Sequence, residues 1–251
     1  MKLLLLISGI REVMAESEIC LRENGSRLLV HPDYRDEVTG AWFNPGYWGG
    51  RARPVSSGGR GGAWFITAGS HEMVLREYRR GGLIAKISQK AYVFTGESTV
   101  RSFAEFRLLN QLAGMALPVP RPVAAWYRKT SLLQYQAALI IEKLEGTTPL
   151  AELITSLDDG AWQLLGGTIR RFHDAGVRHA DLNCFNVLVR DGEFFLIDFD
   201  KGRIMDGTAS ARWKASNLER FARSLRKVAG EAAQARVWES FVLGYYGSQS
   251  T

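Results

Sequence analysis

The chain has 251 residues, of which 46% are hydrophobic and 23% are charged, proportions that are ordinary for a globular protein. Its 32 Lys and Arg residues outnumber its 26 Asp and Glu residues, and such a balance favours nucleotide phosphates, nucleic acid or an anionic membrane surface as partners. The sequence contains no nucleic-acid motif and no apolar run of the roughly 18–20 residues that span a bilayer, so we expect neither nucleic-acid binding nor a spanning helix.

The two cysteines, Cys20 and Cys184, are too few for a disulfide framework and lack the spacing of metal ligands. We expect reduced thiols in a cytosolic protein. Residues 1–25 are predicted to form an N-terminal extension. Its apolar run at 3–7 is too short for a signal peptide, and residues 1–13 are interpreted as a disordered segment or a misassigned start before Met14, with a membrane-anchoring role as the alternative left open.

The first predicted domain, residues 26–145, is rich in strand signals. Runs of β-prone residues predict strands at 27–30, 63–67, 72–78, 123–127 and 135–141. A helix is expected over 102–113 with Ser102 as its N-cap, and the proline-rich stretch 117–122 must be extended. The segment 142–149, which contains Gly146, is interpreted as the linker to the second domain.

The second predicted domain, residues 146–251, carries more helix. Asp158 or Asp159 is expected to cap a helix that ends at Gly176, and a last helix is expected over about 217–229. Between them, two strand-like runs at 187–189 and 194–197 flank an Asp-Gly dipeptide. Strands first and helices later favour an α+β fold in two lobes.

Three oxygen-bearing side chains follow one another in this second domain: Asp181, Asn186 and Asp198. Phosphoryl transfer needs an acceptor hydroxyl that is aligned and deprotonated as it attacks, and metal ions that neutralise the phosphate charge. A carboxylate such as Asp181 suits the first task. Asn186 and Asp198 offer the hard oxygens that Mg²⁺ prefers.

The hairpin signal places these side chains together. Asp-Gly at 191–192 is typical of a two-residue hairpin loop, and counting back from it pairs Asn186 with Ile197. Asn186 and Asp198 should then lie side by side at the open end of the hairpin, and Asp181 lies in the loop that leads into the same end.

These residues carry a resemblance. Asp181 with Asn186 five positions later resembles the catalytic loop of protein-kinase-like enzymes, and the Asp-Phe-Asp at 198–200 resembles their metal-binding Asp-Phe-Gly. More narrowly, the chain is similar to the 3-deoxy-D-manno-octulosonic acid (Kdo) kinase family of Gram-negative lipopolysaccharide synthesis. The motifs that carry this similarity are His-Ala-Asp-Leu-Asn at 179–183, Asn-Val-Leu-Val at 186–189, Phe-Asn-Pro-Gly-Tyr-Trp at 43–48, Arg-Gly-Gly-Ala-Trp-Phe at 60–65 and the segment 74–83.

The resemblance implies a two-lobed protein-kinase-like fold, with a β-rich N-lobe that binds the nucleotide and a short, mostly helical C-lobe. It further implies ATP as the phosphoryl donor, Mg²⁺ as the metal and a Kdo-lipid A type glycolipid as the acceptor, phosphorylated on the 4-hydroxyl of Kdo. In the N-lobe, the glycine-rich stretch is interpreted as a phosphate cradle, made of Gly58, Gly59, Arg60, Gly61 and Gly62. Arg76 stands where kinases carry their phosphate-contacting lysine and is expected to pair with Glu105, with Lys86 as its rival.

Departures from protein kinases limit the acceptor. The catalytic loop has Ala180 where an arginine would dock an activation-loop phosphate, and Asn183 where a lysine is usual. Only 51 residues follow Asp200, too few for a peptide-docking lobe. We therefore expect a sugar hydroxyl, and not a protein side chain, as the acceptor. A heptose kinase of the same fold and a silent kinase-like binding module are the alternatives.

Two further expectations concern charged groups. His173 and His179 are interpreted as packed supports of the catalytic loop. Six cationic residues lie close together and are expected to attract an anionic inner-membrane surface, which places the protein peripherally on its cytoplasmic face: Arg212, Lys214, Arg220, Arg223, Arg226 and Lys227. Because the catalytic loop lies elsewhere in the chain, we expect this cluster to be dispensable for activity on a soluble acceptor.

Overall fold

The computed structural model describes residues 18–55, 62–78, 92–207 and 212–247. The chain forms two compact units. The first contains the described residues up to Asn110 together with Arg121–Lys143, and the second contains Gln111–Pro120 and the chain from Leu144 onward. The division after Lys143 lies two residues before the expected boundary, and the proline-rich connector belongs mostly to the second unit.

The first unit is built on an antiparallel sheet in the strand order β1-β2-β7-β8-β5-β4-β3, with β6 added on β8. The strands are β1 Ile19–Glu23, β2 Ser26–Val30, β3 Ala52–Pro54, β4 Ala63–Ala68, β5 His71–Glu77, β6 Tyr92–Val93, β7 Pro122–Lys129 and β8 Gln134–Glu142. Among the described residues, two α-helices accompany them, α1 Pro45–Trp48 and α2 Arg101–Gly114, and the last four residues of α2 belong to the second unit.

The first strand corrects the sequence analysis, which assigned residues 1–25 to an extension outside the domain. β1 pairs with β2 in register from Ile19 opposite Val30 to Glu23 opposite Ser26. The two-residue turn is Asn24-Gly25, with φ of 47° and 76°. Asn-Gly is a strong hairpin signal because both residues tolerate positive φ, so this strand was legible in the sequence.

The segment between β2 and β3 packs aromatic side chains against the sheet. The segment that follows β2 packs Trp42, Phe43 and Trp48 into the core of one face. Trp48 Nε1 donates to the carbonyl of Trp42 at 2.8 Å, and Phe43 stacks on Trp126 with ring centroids 6.0 Å apart. The conspicuous aromatic motif at 43–48 therefore serves packing in this structure.

Helix α2 contributes to the core as well, with Phe103 against Tyr127 at 5.0 Å between ring centroids. Its start differs from the expectation. Arg101 is already helical, and the hydroxyl of Ser102 donates to the carbonyl of Trp126 at 3.0 Å, so Ser102 ties the helix to β7 and is not its N-cap.

The second unit holds four helices and three short ladders among its described residues. Its elements are β9 Thr148–Pro149, α3 Leu150–Leu153, α4 Asp159–Asp174, β10 Val177–Arg178, β11 Val187–Arg190, β12 Glu193–Leu196, β13 Arg203–Ile204, α5 Arg212–Ala229 and α6 Glu231–Tyr246. Asp158 is the N-cap of α4, because its side chain accepts from the amide of Ala161 at 2.8 Å. Gly176 follows α4 with a φ of 76°, as its glycine signal predicted.

Helix α6 was not predicted, since the sequence analysis ended the fold at a helix over 217–229. It packs against α4 with two glycines at the contact. A Cβ on Gly166 would lie 2.1 Å from the carbonyl oxygen of Phe241, and one on Gly244 would lie 1.9 Å from that of Gln163. Only glycine permits the backbones of α4 and α6 to approach so closely.

Both cysteines are free thiols, Cys20 exposed and Cys184 buried. Across the described part of the chain, no helix combines the length and the apolar character needed to cross a bilayer.

Candidate active site

The predicted hairpin is present in the second unit with the expected register. Arg190 pairs with Glu193 across the turn, and the amide of Ile197 donates to the carbonyl of Asn186 at 3.1 Å. Asn186 therefore lies beside Asp198 at the open end of the β11–β12 hairpin. Asp198 has a φ of 62°, a conformation uncommon for a residue with a side chain and frequent at functional sites.

Side-chain amides hold the loop that carries Asp181. The side-chain nitrogens of Asn183 and Asn186 both donate to the carbonyl of Asp181, at 2.9 and 3.0 Å. The side-chain oxygen of Asn183 in turn accepts from the amides of Phe185 and Asn186, at 2.9 and 3.2 Å. These hydrogen bonds hold the loop in one conformation. Asn183, which departs from the protein-kinase pattern, is one of the two asparagines that make them.

His179 also holds the loop that carries Asp181. It is buried, its Nδ1 accepts from the amide of Asp181 at 3.1 Å, and its Nε2 lies 2.9 Å from the carbonyl of Ile197. One acceptor and one donor are the two functions of a neutral imidazole, and burial lowers the pKa of His179 from its ordinary value. The ring thereby links the catalytic loop to Ile197, the residue between β12 and Asp198.

His173 is also buried and contacts the hydroxyl of Tyr245 through Nδ1 at 2.7 Å. Burial lowers the pKa of His173 to about 4. Both histidines are therefore packed inside the second unit, and His179 also contacts the catalytic loop as expected, whereas His173 packs against Tyr245 and Trp213.

The donor set fits Mg²⁺. Because Nδ2 of Asn186 is engaged by the carbonyl of Asp181, the amide oxygen of Asn186 is the atom left to bind a cation, and Asp198 adds a carboxylate. Within the described ranges no group of three or more His, Cys, Asp or Glu side chains could hold a metal alone. Mg²⁺ normally binds one or two carboxylates and completes its shell with water and substrate phosphates, so two protein ligands suffice.

The carboxylate of Asp181 has a partner that the sequence analysis missed. Nη1 of Arg220, on α5, lies 3.1 Å from its Oδ1. This contact corrects the expectation that the basic cluster is remote from the catalytic loop. The two residues are 39 positions apart, and no local pattern joins them.

Helix α5 is attached to the loop on both sides of that arginine. The buried Asn217 accepts from the amide of His179 at 3.2 Å and donates to its carbonyl at 2.9 Å. Ser224 accepts from the amide of Cys184 at 3.1 Å. Asn217, Arg220 and Ser224 are three and four residues apart, so they share one face of the helix.

In the first unit, the expected pair is formed. Nη2 of Arg76 donates to Oε2 of Glu105 at 2.5 Å, and the hydroxyl of Tyr78 donates to the same oxygen at 2.5 Å. Glu105 is only 3% exposed, so the guanidinium of Arg76 on β5 is anchored to a buried carboxylate of α2. Tyr78 is a member of this cluster that sequence reasoning did not identify.

The phosphate cradle is only partly within the structure. Gly62 is described, and its carbonyl accepts from the amide of Glu77 at 2.7 Å. Gly58, Gly59, Arg60 and Gly61 lie outside the described residues, as does Lys86.

The chain is similar in sequence to a known family and to several named proteins. Residues 46–245 match the lipopolysaccharide kinase (Kdo/WaaP) family. A 3-deoxy-D-manno-octulosonic acid kinase of Stenotrophomonas maltophilia (strain K279a) is 47% identical over 79% of this chain and 80% of its own. Proteins of the same name from Xanthomonas axonopodis pv. citri and Xylella fastidiosa (strain M12) are 47% and 44% identical over 84% and 79% of this chain, and over 84% and 80% of their own.

Solved structures share the fold at low identity. WaaP in complex with acyl carrier protein has a TM-score of 0.57 at 15% identity and covers 88% of each chain. An aminoglycoside-3'-phosphotransferase of type VIII has a TM-score of 0.52 at 17% identity over 80% of this chain and 89% of its own. The architecture is therefore protein-kinase-like, as predicted.

Proposed function

Because the chain belongs to the lipopolysaccharide kinase (Kdo/WaaP) family, we propose that it transfers the γ-phosphate of ATP to the 4-hydroxyl of a Kdo residue on a Kdo-lipid A acceptor. Its family and its fold make it an ATP-dependent kinase. The choice of Kdo rests on relatives named 3-deoxy-D-manno-octulosonic acid kinase, which are 44–47% identical over about four-fifths of both chains. The 4-position and the lipid A inner core are the finer part of the proposal.

The observation that carries the proposal is the convergence of Asp181, Asn186 and Asp198 at the end of one hairpin. In this proposal Asp181 orients the acceptor hydroxyl and takes its proton as the oxygen attacks the γ-phosphorus, while the bond from that phosphorus to the β,γ-bridging oxygen breaks and ADP leaves. Asn186 and Asp198 would hold Mg²⁺, which neutralises charge on the phosphates. The buried His179 keeps the backbone of the base fixed relative to Ile197, the residue before Asp198.

In the first unit, we assign Arg76 to the nucleotide phosphates. Glu105 accepts from both Arg76 and Tyr78, which fixes the guanidinium near the end of β5, an interior strand of the sheet. A guanidinium held in this way presents a positive charge at a fixed position, which suits an interaction with phosphate oxygens. The glycine-rich stretch at 58–62 would supply backbone amides to the same phosphates.

A peripheral position at the cytoplasmic face of the inner membrane completes the proposal. A lipid-linked acceptor requires the enzyme to work at that surface. Arg226 and Lys227 are exposed in the last turn of α5, where they are available to anionic head groups.

The test is mass spectrometry of a Kdo-bearing lipid A precursor incubated with the protein and Mg-ATP. The expected product carries one added phosphate, and tandem fragmentation places it on the 4-hydroxyl of Kdo. The matched control is Asp181→Asn, which keeps the shape of the base without its proton affinity and should abolish the product while nucleotide binding persists.

Other acceptors distinguish the alternatives. Phosphate on a heptose of a longer core, and none on Kdo, would replace this proposal by a heptose kinase. Nucleotide binding with no phosphorylation of either acceptor would favour a silent binding module.

A further inference from the structure

The contact between Arg220 and Asp181 is not required by the transfer of a phosphate to the acceptor. The guanidinium touches one oxygen of the base, and the two side chains are 46% and 61% exposed. Among the described residues, Asp181 is the acid that Arg220 contacts. A cation on a general base is unexpected at first sight, because the same oxygen must receive a proton from the acceptor hydroxyl.

The position of Arg220 is built by its neighbours on the helix. Three residues earlier, Asn217 makes two hydrogen bonds to the backbone of His179, and four residues later Ser224 contacts the amide of Cys184. Both anchors belong to the catalytic loop that carries Asp181. The helix is therefore fixed against the loop, so the guanidinium is delivered to the base and is not a side chain that reaches it by chance.

The ion pair itself is easily exchanged. An exposed pair of this kind contributes only about 0–1 kcal/mol. The contact uses one nitrogen of Arg220, whereas a guanidinium can bind a carboxylate through two parallel N–H groups. An acceptor with its own carboxylate would thus draw Arg220 from Asp181 and leave the base open to the hydroxyl.

We propose that Arg220 binds the carboxylate of the acceptor sugar and thereby selects an acidic sugar over a neutral one. The inference rests on the proposed function, since that function supplies a sugar acid whose carboxylate is ionised at neutral pH. Binding of the acid group and release of the base then occur in one exchange. The site accepts its acceptor by charge as well as by shape.

Binding without ATP tests the contact directly. Titration calorimetry compares the methyl glycoside of Kdo with its carboxyl-reduced, neutral counterpart on the full-length protein. Since a hydrogen-bonded charge pair changes affinity by roughly tenfold or more, we expect the wild type to prefer the acid by at least about tenfold. Arg220→Gln should bind both glycosides as weakly as the wild type binds the neutral one, and Arg220→Lys should recover part of the preference.

The matched control is Arg223→Gln. Arg223 lies one turn further along α5, is 57% exposed and pairs with Glu219, so its loss removes the same charge from the same helix. It should keep the wild-type preference for the acid. Thermal unfolding of all variants establishes that they are folded.

Steady-state kinetics separates the acceptor from the nucleotide. Arg220→Gln should raise the KM for the Kdo acceptor and leave the KM for ATP unchanged. A raised KM for ATP with an intact acid preference would mean that Arg220 binds the γ-phosphate, and would overturn the inference. Equal binding of acid and neutral glycosides by the wild type would also overturn it.

The two proposals fail separately. If the protein phosphorylates Kdo and Arg220→Gln keeps the preference for the acid, the role of Arg220 is refuted and the proposed function stands. An acid preference that depends on Arg220, in a protein that does not phosphorylate Kdo, supports the carboxylate site and refutes the proposed reaction.

Discussion

Asn186 and Asp198 occupy neighbouring positions but offer different ligands, an amide oxygen and a charged carboxylate. Asp198→Ala should raise the Mg²⁺ concentration needed for half-maximal activity more than Asn186→Ala does, because the carboxylate contributes most of the attraction to a divalent cation. Initial rates measured against Mg²⁺ at saturating ATP decide this. An unchanged requirement in both variants would contradict a metal site at the hairpin end.

Asn186 also has a second task, since its side-chain nitrogen donates to the carbonyl of Asp181. Asn186→Asp keeps an oxygen ligand but loses this donor. The variant should therefore need little extra Mg²⁺ and yet have a reduced kcat. A variant with the kcat of the wild type would show that the side-chain nitrogen of Asn186 has no part in holding the loop.

His173 makes stability depend on pH. Its pKa is about 4 in the folded chain and 6.5 in the unfolded chain, so the unfolded state takes up the proton first as the pH falls. Stability should be full above pH 6.5 and decline below it, by about 2 kcal/mol at pH 5. Urea unfolding at pH 7 and pH 5 measures the loss. His173→Gln cannot titrate and should lose less stability between these values, whereas an equal loss in both proteins would rule out His173 as the cause.

At the scale of elements, replacing two adjacent glycines of α4 by alanine should change the stability of the protein in different ways. A Cβ at position 166 would meet the carbonyl oxygen of Phe241 at 2.1 Å, whereas one at 167 would lie 3.8 Å from that of Gly244. Gly166→Ala should destabilise the protein by about 1–3 kcal/mol or more, because α4 and α6 must separate. Gly167→Ala should be neutral or stabilising by up to about 1 kcal/mol through helix propensity. Urea unfolding midpoints compare the two, and equal effects would contradict close packing at Gly166.

Elements with local signals could be predicted from the sequence. The Asp191-Gly192 turn fixes the register of its hairpin by itself, and that register was enough to bring Asn186 and Asp198 together. Helix α6 was missed because Gly244 weakens its helical signal and its fit depends on Gly166, 78 positions earlier. The contact of Arg220 with Asp181 has the same character: α5 was expected, but the face that it turns to the catalytic loop is set by tertiary packing.

At the scale of the whole molecule, the formal net charge of +6 favours anionic surfaces, and α5 concentrates cationic residues. In the structure, some of these cationic residues lie close to an acidic side chain. Arg220 contacts Asp181, Lys214 contacts Asp174 at 3.2 Å, and Arg223 lies 3.9 Å from Glu219. Arg226 and Lys227, exposed in the last turn, are the residues of this helix that we assign to lipid.

Membrane association should therefore be electrostatic and should depend on the end of α5. Attraction of this kind is screened over about 10 Å at 0.1 M salt and about 3 Å at 1 M, so co-sedimentation with anionic vesicles should fall steeply as salt rises. Replacing both Arg226 and Lys227 by Gln should weaken it further, whereas the same replacement at the exposed Arg22 and Arg35 of the first unit should have a smaller effect. Activity on a soluble Kdo glycoside should survive the change at 226 and 227, because Arg220 on α5 still contacts Asp181 of the catalytic loop. Binding that resists 1 M salt would indicate apolar insertion, and an equal loss in both double variants would assign the attraction to net charge.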